Sequence, residues 1–142
     1  MKICLLMLGK TRRPEINAML QDYVKRISRC CPVEVVEVRD AGAALKRLGA
    51  NRAAASVLLD AGGKAYDSNA FAKWIGEQRD RGLREIFFVC GDAEGFPTSL
   101  RERVQQKMSL SAMTYSHELA RVMLAEQVYR AFAILSGSPY PK

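Results

Sequence analysis

Short apolar runs alternate with helix-forming segments along the whole chain, and this alternation constrains the fold more than any other feature. Lys2–Leu8 (KICLLML) is a continuous apolar run that stops at Gly9. Val33, Val35, Val36 and Val38 make a second run, and Ser56–Asp60 (SVLLD), Glu85–Cys90 (EIFFVC) and Met108–Leu110 make three more. Runs this short and this apolar suit strands buried on both faces, as in parallel sheets covered by helices. The segments between them read as helices. Pro14 stands in a favoured first-turn position, and Ile16, Met19, Leu20, Tyr23, Val24 and Ile27 recur at helical spacing opposite Lys25, Arg26 and Arg29. Pro32 ends that element. Ala43–Leu48 is a short helical piece closed by Gly49, Asp67 or Ser68 caps a helix bearing Phe71, Trp74 and Ile75, and Thr98–Gln106 reads as a charged helix. The order predicts one α/β domain over residues 1–142, with a mostly parallel sheet, helices on both faces and right-handed crossovers.

The last helix is the most apolar segment. It is expected from His117 to Ser136, with Ser116 as N-cap, Glu118 in the first turn, and Gly137 followed by Pro139 as the stop. Leu119, Val122, Met123, Leu124, Val128, Tyr129, Phe132, Ile134 and Leu135 cover more than one stripe. Such a helix is buried on most sides. A homodimer face is the favoured explanation, and a central core helix within one chain is the alternative. Glu126 and Arg130 are spaced to pair along it.

The chain carries 22 Lys and Arg against 15 Asp and Glu, a formal charge of +7, spread along its length. A folded basic face meeting a polyanion such as nucleic acid follows better from that spread than a disordered arm. Cys4 and Cys90 sit in apolar runs and read as buried thiols, and Cys30 and Cys31 are adjacent. With no Cys-x-x-Cys spacing and one histidine, no metal centre is expected. No segment has the length of a membrane span or a signal sequence, and a reducing cytoplasm is the expected compartment.

In parallel sheets, ligands bind where loops leave the carboxyl ends of strands. Three small-residue loops qualify: Asp60–Lys64 (DAGGK), Gly91–Gly95 (GDAEG) and Ser111–Tyr115 (SAMTY). GDAEG is neither a dinucleotide fingerprint nor a P-loop. Its acidic side chains, Asp92 and Glu94, would repel phosphates and accept a ligand with a cationic centre. The single His117 supports no Ser/His/Asp or Cys/His arrangement, so hydrolase chemistry has no basis here.

Taken together, LLDAGGK followed by Ser68, FFVCG with EGF behind it, MSLSAMTYSHELARVMLAEQVYRAF and the final GSPY resemble one family. It is the ribosomal RNA large subunit methyltransferase H family of the SPOUT superfamily, which methylates a ring nitrogen of pseudouridine. The likeness runs over essentially the whole chain, and Ser109–Phe132 is its most specific part. It implies a C-terminal trefoil knot, S-adenosylmethionine as methyl donor without a metal, a homodimer through the C-terminal helix, and large-subunit ribosomal RNA on the assembled ribosome as substrate. It places Leu59, Gly91, Leu110, Ser111, Ala112, Met113, Thr114 and Tyr115 against the cofactor. Arg130, Arg121, His117 and Tyr140 are its candidates for catalysis, with Lys10, Arg12 and Arg13 for RNA phosphates. Two positions depart from the family pattern: Asp92 stands where a second glycine is usual, and Pro141 and Lys142 follow Tyr140 where a histidine is usual. A non-catalytic ribosome-binding protein on the same fold, and a generic nucleotide-binding domain, are the rival readings.

Overall fold

The apolar runs form a five-stranded parallel sheet in a computed structural model that describes residues 1–49, 53–104 and 106–140. The strands are β1 (Lys2–Leu8), β2 (Val33–Val38), β3 (Ala54–Ala65), β4 (Glu85–Cys90) and β5 (Gln106–Ser109), in spatial order β2-β1-β4-β3-β5. The helices are α1 (Pro14–Ser28), α2 (Ala41–Leu48), α3 (Ser68–Asp80), α4 (Thr98–Arg103) and α5 (His117–Ser136).

The lack of alternation in β1 has a direct cause. Ile3, Leu5 and Met7 enter a core with residues of α1, α3 and α5, while Cys4, Leu6 and Leu8 enter a second core with residues of α2 and α4. Both faces of the strand are dry, so no position in it calls for a polar side chain.

Three expectations are corrected. The DAGGK segment is not a loop, because β3 runs on through it to Ala65 with a register shift between Leu59 and Lys64 against β5. Gly63 permits this pairing, since a Cβ there would stand 2.5 Å from the Lys107 carbonyl carbon. The charged helix stops at Arg103, and Gln106 already belongs to β5. Met19 does not face the core as its spacing suggested but is 51% exposed.

Helix α5 has the predicted bounds, with the Ser116 side chain accepting the Leu119 N–H at 3.2 Å and Gly137 left-handed at φ 73°. Val122, Leu124, Ala125, Val128, Ala131, Phe132 and Ala133 are buried within this one chain, between α1, α3 and the sheet. Most of the apolar coat is therefore accounted for by the chain's own core. At the α3 crossing, Gly76 lets Leu135 approach to 3.1 Å of where a Cβ would be, and Ser68 donates to Gln127 at 2.8 Å.

Candidate active site

Adjacent β3 and β4 send their chains to opposite faces of the sheet, β3 to α3 and β4 to α4, so the loops part and open a crevice at the strands' carboxyl ends. The exit of β5 closes its far side. The result is a cavity of about 460 Å³, in the size range of small-molecule sites. Leu59, Gly91, Leu110, Ser111, Met113, Thr114 and Tyr115 line it, as does His117 from the first turn of α5. Ala112 lies in the same loop but not on the wall.

Each loop is shaped by its own side chains. The Asp92 carboxylate accepts the Glu94 N–H at 2.8 Å, and the Gly95 N–H returns to the Asp92 carbonyl at 3.0 Å. Gly95 is left-handed, and a Cβ on Gly91 would lie 2.9 Å from the Gly95 oxygen, so both glycines are demanded by the turn. In the next loop Ser111 Oγ accepts the Met113 N–H at 2.9 Å and Ser109 Oγ donates to the Ser111 carbonyl at 2.9 Å. Arg101, which no sequence signal singled out, pairs with Asp60 at the cavity's edge. The Gly62 N–H, and after it Arg101, hold the Asp60 carboxyl below its usual range. Cys90 also faces the cavity, but burial pushes its thiol up to about 12, so it is no nucleophile at neutral pH. Apolar walls for a ring, backbone-rich turns, and the Asp92 carboxylate for a cation are the recognition elements present.

The four residues expected around the reaction do not sit together. His117 is at the cavity. Arg121 is fully buried and has no surface for a substrate; its guanidinium donates to the carbonyls of Leu8 at 2.7 Å and Gly9 at 3.1 Å and to Thr11 Oγ1 at 2.9 Å. Arg130 lies farther along α5, about 20 Å from His117 at 1.5 Å per residue, and Tyr140, beyond the helix end, reaches back to Glu126. There Glu126 accepts from Arg130 at 2.8 Å and from the Tyr140 hydroxyl at 2.6 Å, and Tyr140 packs on Tyr129 at 4.7 Å. Arg130 lies over the Tyr140 ring and Arg26 over Tyr23 and Tyr129. Burial, then Glu126, raises the Tyr140 hydroxyl above its ordinary value, and Glu126 raises Arg130. Pro141 and Lys142 lie outside the described residues.

Among the described residues, Cys4, Glu34 and Glu85 are the one group of potential metal ligands that converge. They lie toward the amino ends of the strands, with Glu34 paired to Lys2 at 2.8 Å and to Arg47. No described helix is long and apolar enough to cross a membrane.

The family model described as "Predicted SPOUT methyltransferase" matches residues 1–141. The chain belongs to the SPOUT methyltransferase family. It is 40% identical to the ribosomal RNA large subunit methyltransferase H of Pelobacter propionicus and 41% identical to that of Solibacter usitatus, each over 99% of both chains. In fold it is similar to a probable methylase family protein from Haemophilus influenzae, with a TM-score of 0.63 at 8% identity over 99% of this chain and 70% of that one. It is also similar to the SpoU methyltransferase AviRb of Streptomyces viridochromogenes, solved in complex with AdoMet, with a TM-score of 0.56 at 12% identity over 97% of this chain and 58% of that one.

Proposed function

We propose that this SPOUT methyltransferase transfers a methyl group from S-adenosylmethionine to a ring nitrogen of pseudouridine in large-subunit ribosomal RNA, working as a cytoplasmic homodimer on the assembled ribosome. One observation carries the reading: the exits of β4 and β5 and the middle of β3, in a chain of this family, converge on a cavity with apolar walls and a carboxylate at its rim. The residues fit the donor. Leu59 and Leu110 offer apolar contact to a ring, the turns at 91–95 and 110–115 offer backbone groups, and Asp92 faces a positive centre. The trefoil knot implied by the family likeness belongs to this reading.

When bound, S-adenosylmethionine supplies a methyl group already activated on a sulfonium. The protein's own work is to orient the two reactants and exclude water. Met113, 74% exposed, and Tyr115, 39% exposed, stand where an incoming base would cover the cavity. His117, the imidazole on the cavity wall, takes the imide proton as general base. Arg130 favours the imide anion by its charge, and Tyr140 orients the base. Since Glu126 holds both of them about 14 Å along α5 from His117 within one chain, they serve the cavity of a second chain. Exposed Met19 and Leu119, on helices that pack side by side, supply apolar surface for that dimer. Exposed Lys10, Arg12 and Arg13 meet RNA phosphates.

Calorimetric titration of S-adenosylmethionine should show micromolar-range binding, and labelled donor should pass methyl to ribosomes lacking the modification. His117→Ala should lower kcat by about 100-fold or more, with the donor Kd changed only a few-fold. Donor binding without transfer, on any ribosomal substrate, would leave a ribosome-binding protein as the better account.

A further inference from the structure

The first turns of α5 present two side chains to the cavity and two to a different loop. His117 and Ala120 line the cavity. Glu118 and Arg121, one position later and so rotated by about 100°, hold the segment between β1 and α1, residues 9–13. The Glu118 carboxylate accepts the N–H groups of Arg13 at 3.0 Å and Arg12 at 3.2 Å. Arg121 donates to the carbonyls of Leu8 and Gly9 and to Thr11 Oγ1. From β2, Glu37 accepts the Thr11 N–H at 2.6 Å, and the Val38 carbonyl accepts the Gly9 N–H at 2.7 Å.

A five-residue surface loop thus has its backbone tied at nearly every position, at the cost of burying a carboxylate and a guanidinium. Its side chains are treated differently. Lys10 and Arg12 are exposed, and among the described residues no carboxylate pairs with either. Arg13 is paired with Glu15. Because Met7 lies beside Cys90, the loop leaves the sheet one strand spacing from the 91–95 turn of the cavity.

Resting on the function proposed above, we propose that Glu118 and Arg121 are positioning residues for the RNA. They fix the 9–13 backbone so that Lys10 and Arg12 take backbone phosphates at a set distance from the methyl-donor cavity. A helix-capping role alone would explain the Glu118 contacts, but not two unpaired cations on a loop tied on both sides of each.

A double-mutant cycle separates the two. Ribosome affinity is measured at several salt concentrations for wild type, Glu118→Ala, Lys10→Ala/Arg12→Ala, and the triple variant. KM and kcat for methyl transfer are measured alongside. Glu118→Ala should raise the ribosome Kd and KM about 5- to 10-fold and leave kcat and the donor Kd within about twofold. Lys10→Ala/Arg12→Ala should flatten the salt slope by about 1.5. In that background Glu118→Ala should cost nothing further. Independent, multiplying losses, or a Glu118→Ala effect confined to thermal stability, would overturn the proposal. Glu118→Gln, which keeps one acceptor oxygen, should fall between, and covers the case in which Glu118→Ala folds poorly. Absence of methyl transfer by the wild type would defeat the proposed reaction, while the binding cycle still decides the role of Glu118.

Discussion

The Asp92 carboxylate closes a turn on the Glu94 N–H at 2.8 Å, and its own backbone is not left-handed. A glycine is therefore not required at this position. The two conformational demands of the turn fall instead on Gly91, by close approach, and on Gly95, by its φ of 79°. Asp92→Gly removes the side-chain hydrogen bond and adds freedom to the unfolded chain, so it should destabilise the protein by about 1 kcal/mol. Donor affinity should fall or stay level, not improve. Urea denaturation and donor titration on the same sample check both statements, and a tighter-binding Asp92→Gly would show that the carboxylate obstructs the donor. Arg121 makes a related point. Arg121 is a catalytic candidate under the family likeness, yet it is spent on three backbone and hydroxyl acceptors out of contact with water. A lone cation on such a helix reads alike in both cases, because the sequence does not say which carbonyls end beside it.

At the scale of elements, β3 carries the least expected feature. Beyond Leu59 it shifts register against β5 and pairs again at Lys64 and Ala65, which requires Gly63 to pass against the Lys107–Met108 peptide. Gly63→Ala would place a Cβ 2.5 to 2.8 Å from backbone atoms of Lys107 and Met108, so the two strands must separate. A cost of about 1–3 kcal/mol is expected, with weakened donor binding because Leu59 and Leu110 leave these same strands. Gly62→Ala is the control: its nearest neighbour would be Asp60 Oδ1 at 3.7 Å, and it should be close to neutral. Chemical denaturation of the pair measures the difference. Strand and helix existence was readable almost throughout, since β1 and β4 carry patterns that only a doubly buried strand satisfies and α5 carries its own cap and stop signals. The continuation of β3 was not, because DAGGK has turn composition and its pairing partner is supplied by β5, more than forty residues later. The cavity loops at 91–95 and 111–115 were readable for a simple reason: small residues after a buried parallel strand leave room for a ligand. Asp60–Arg101 was not, since it depends on where a charged helix lands.

For the whole molecule, the distribution of chemistry along α5 is the main constraint. His117 stands at the cavity, while Arg130 and Tyr140 are locked to Glu126, about 14 Å farther along the helix. While the Glu126 bonds hold, neither group reaches a base beside His117, so a reaction using all three would draw them from two chains. The apolar character of α5 does not by itself establish the second chain, as most of its buried residues face this chain's own core. Among the described residues, Met19 and Leu119 are the exposed large apolar side chains away from the cavity wall. In a two-fold dimer each cavity would combine His117 of one chain with Arg130 and Tyr140 of the other. His117→Ala and Arg130→Ala homodimers should then each be inactive. After mixing, unfolding and refolding, half of the dimers would pair one chain of each kind. Each such dimer would hold one cavity with both defects and one with neither, so activity should return to about a quarter of the wild-type value. Steady-state transfer on ribosomes, with the mixing confirmed by mass spectrometry of the intact dimers, reads this directly. If transfer stays at background with mixed dimers present, Arg130 does not act across the interface. Full retention by Arg130→Ala alone would remove it from the reaction altogether.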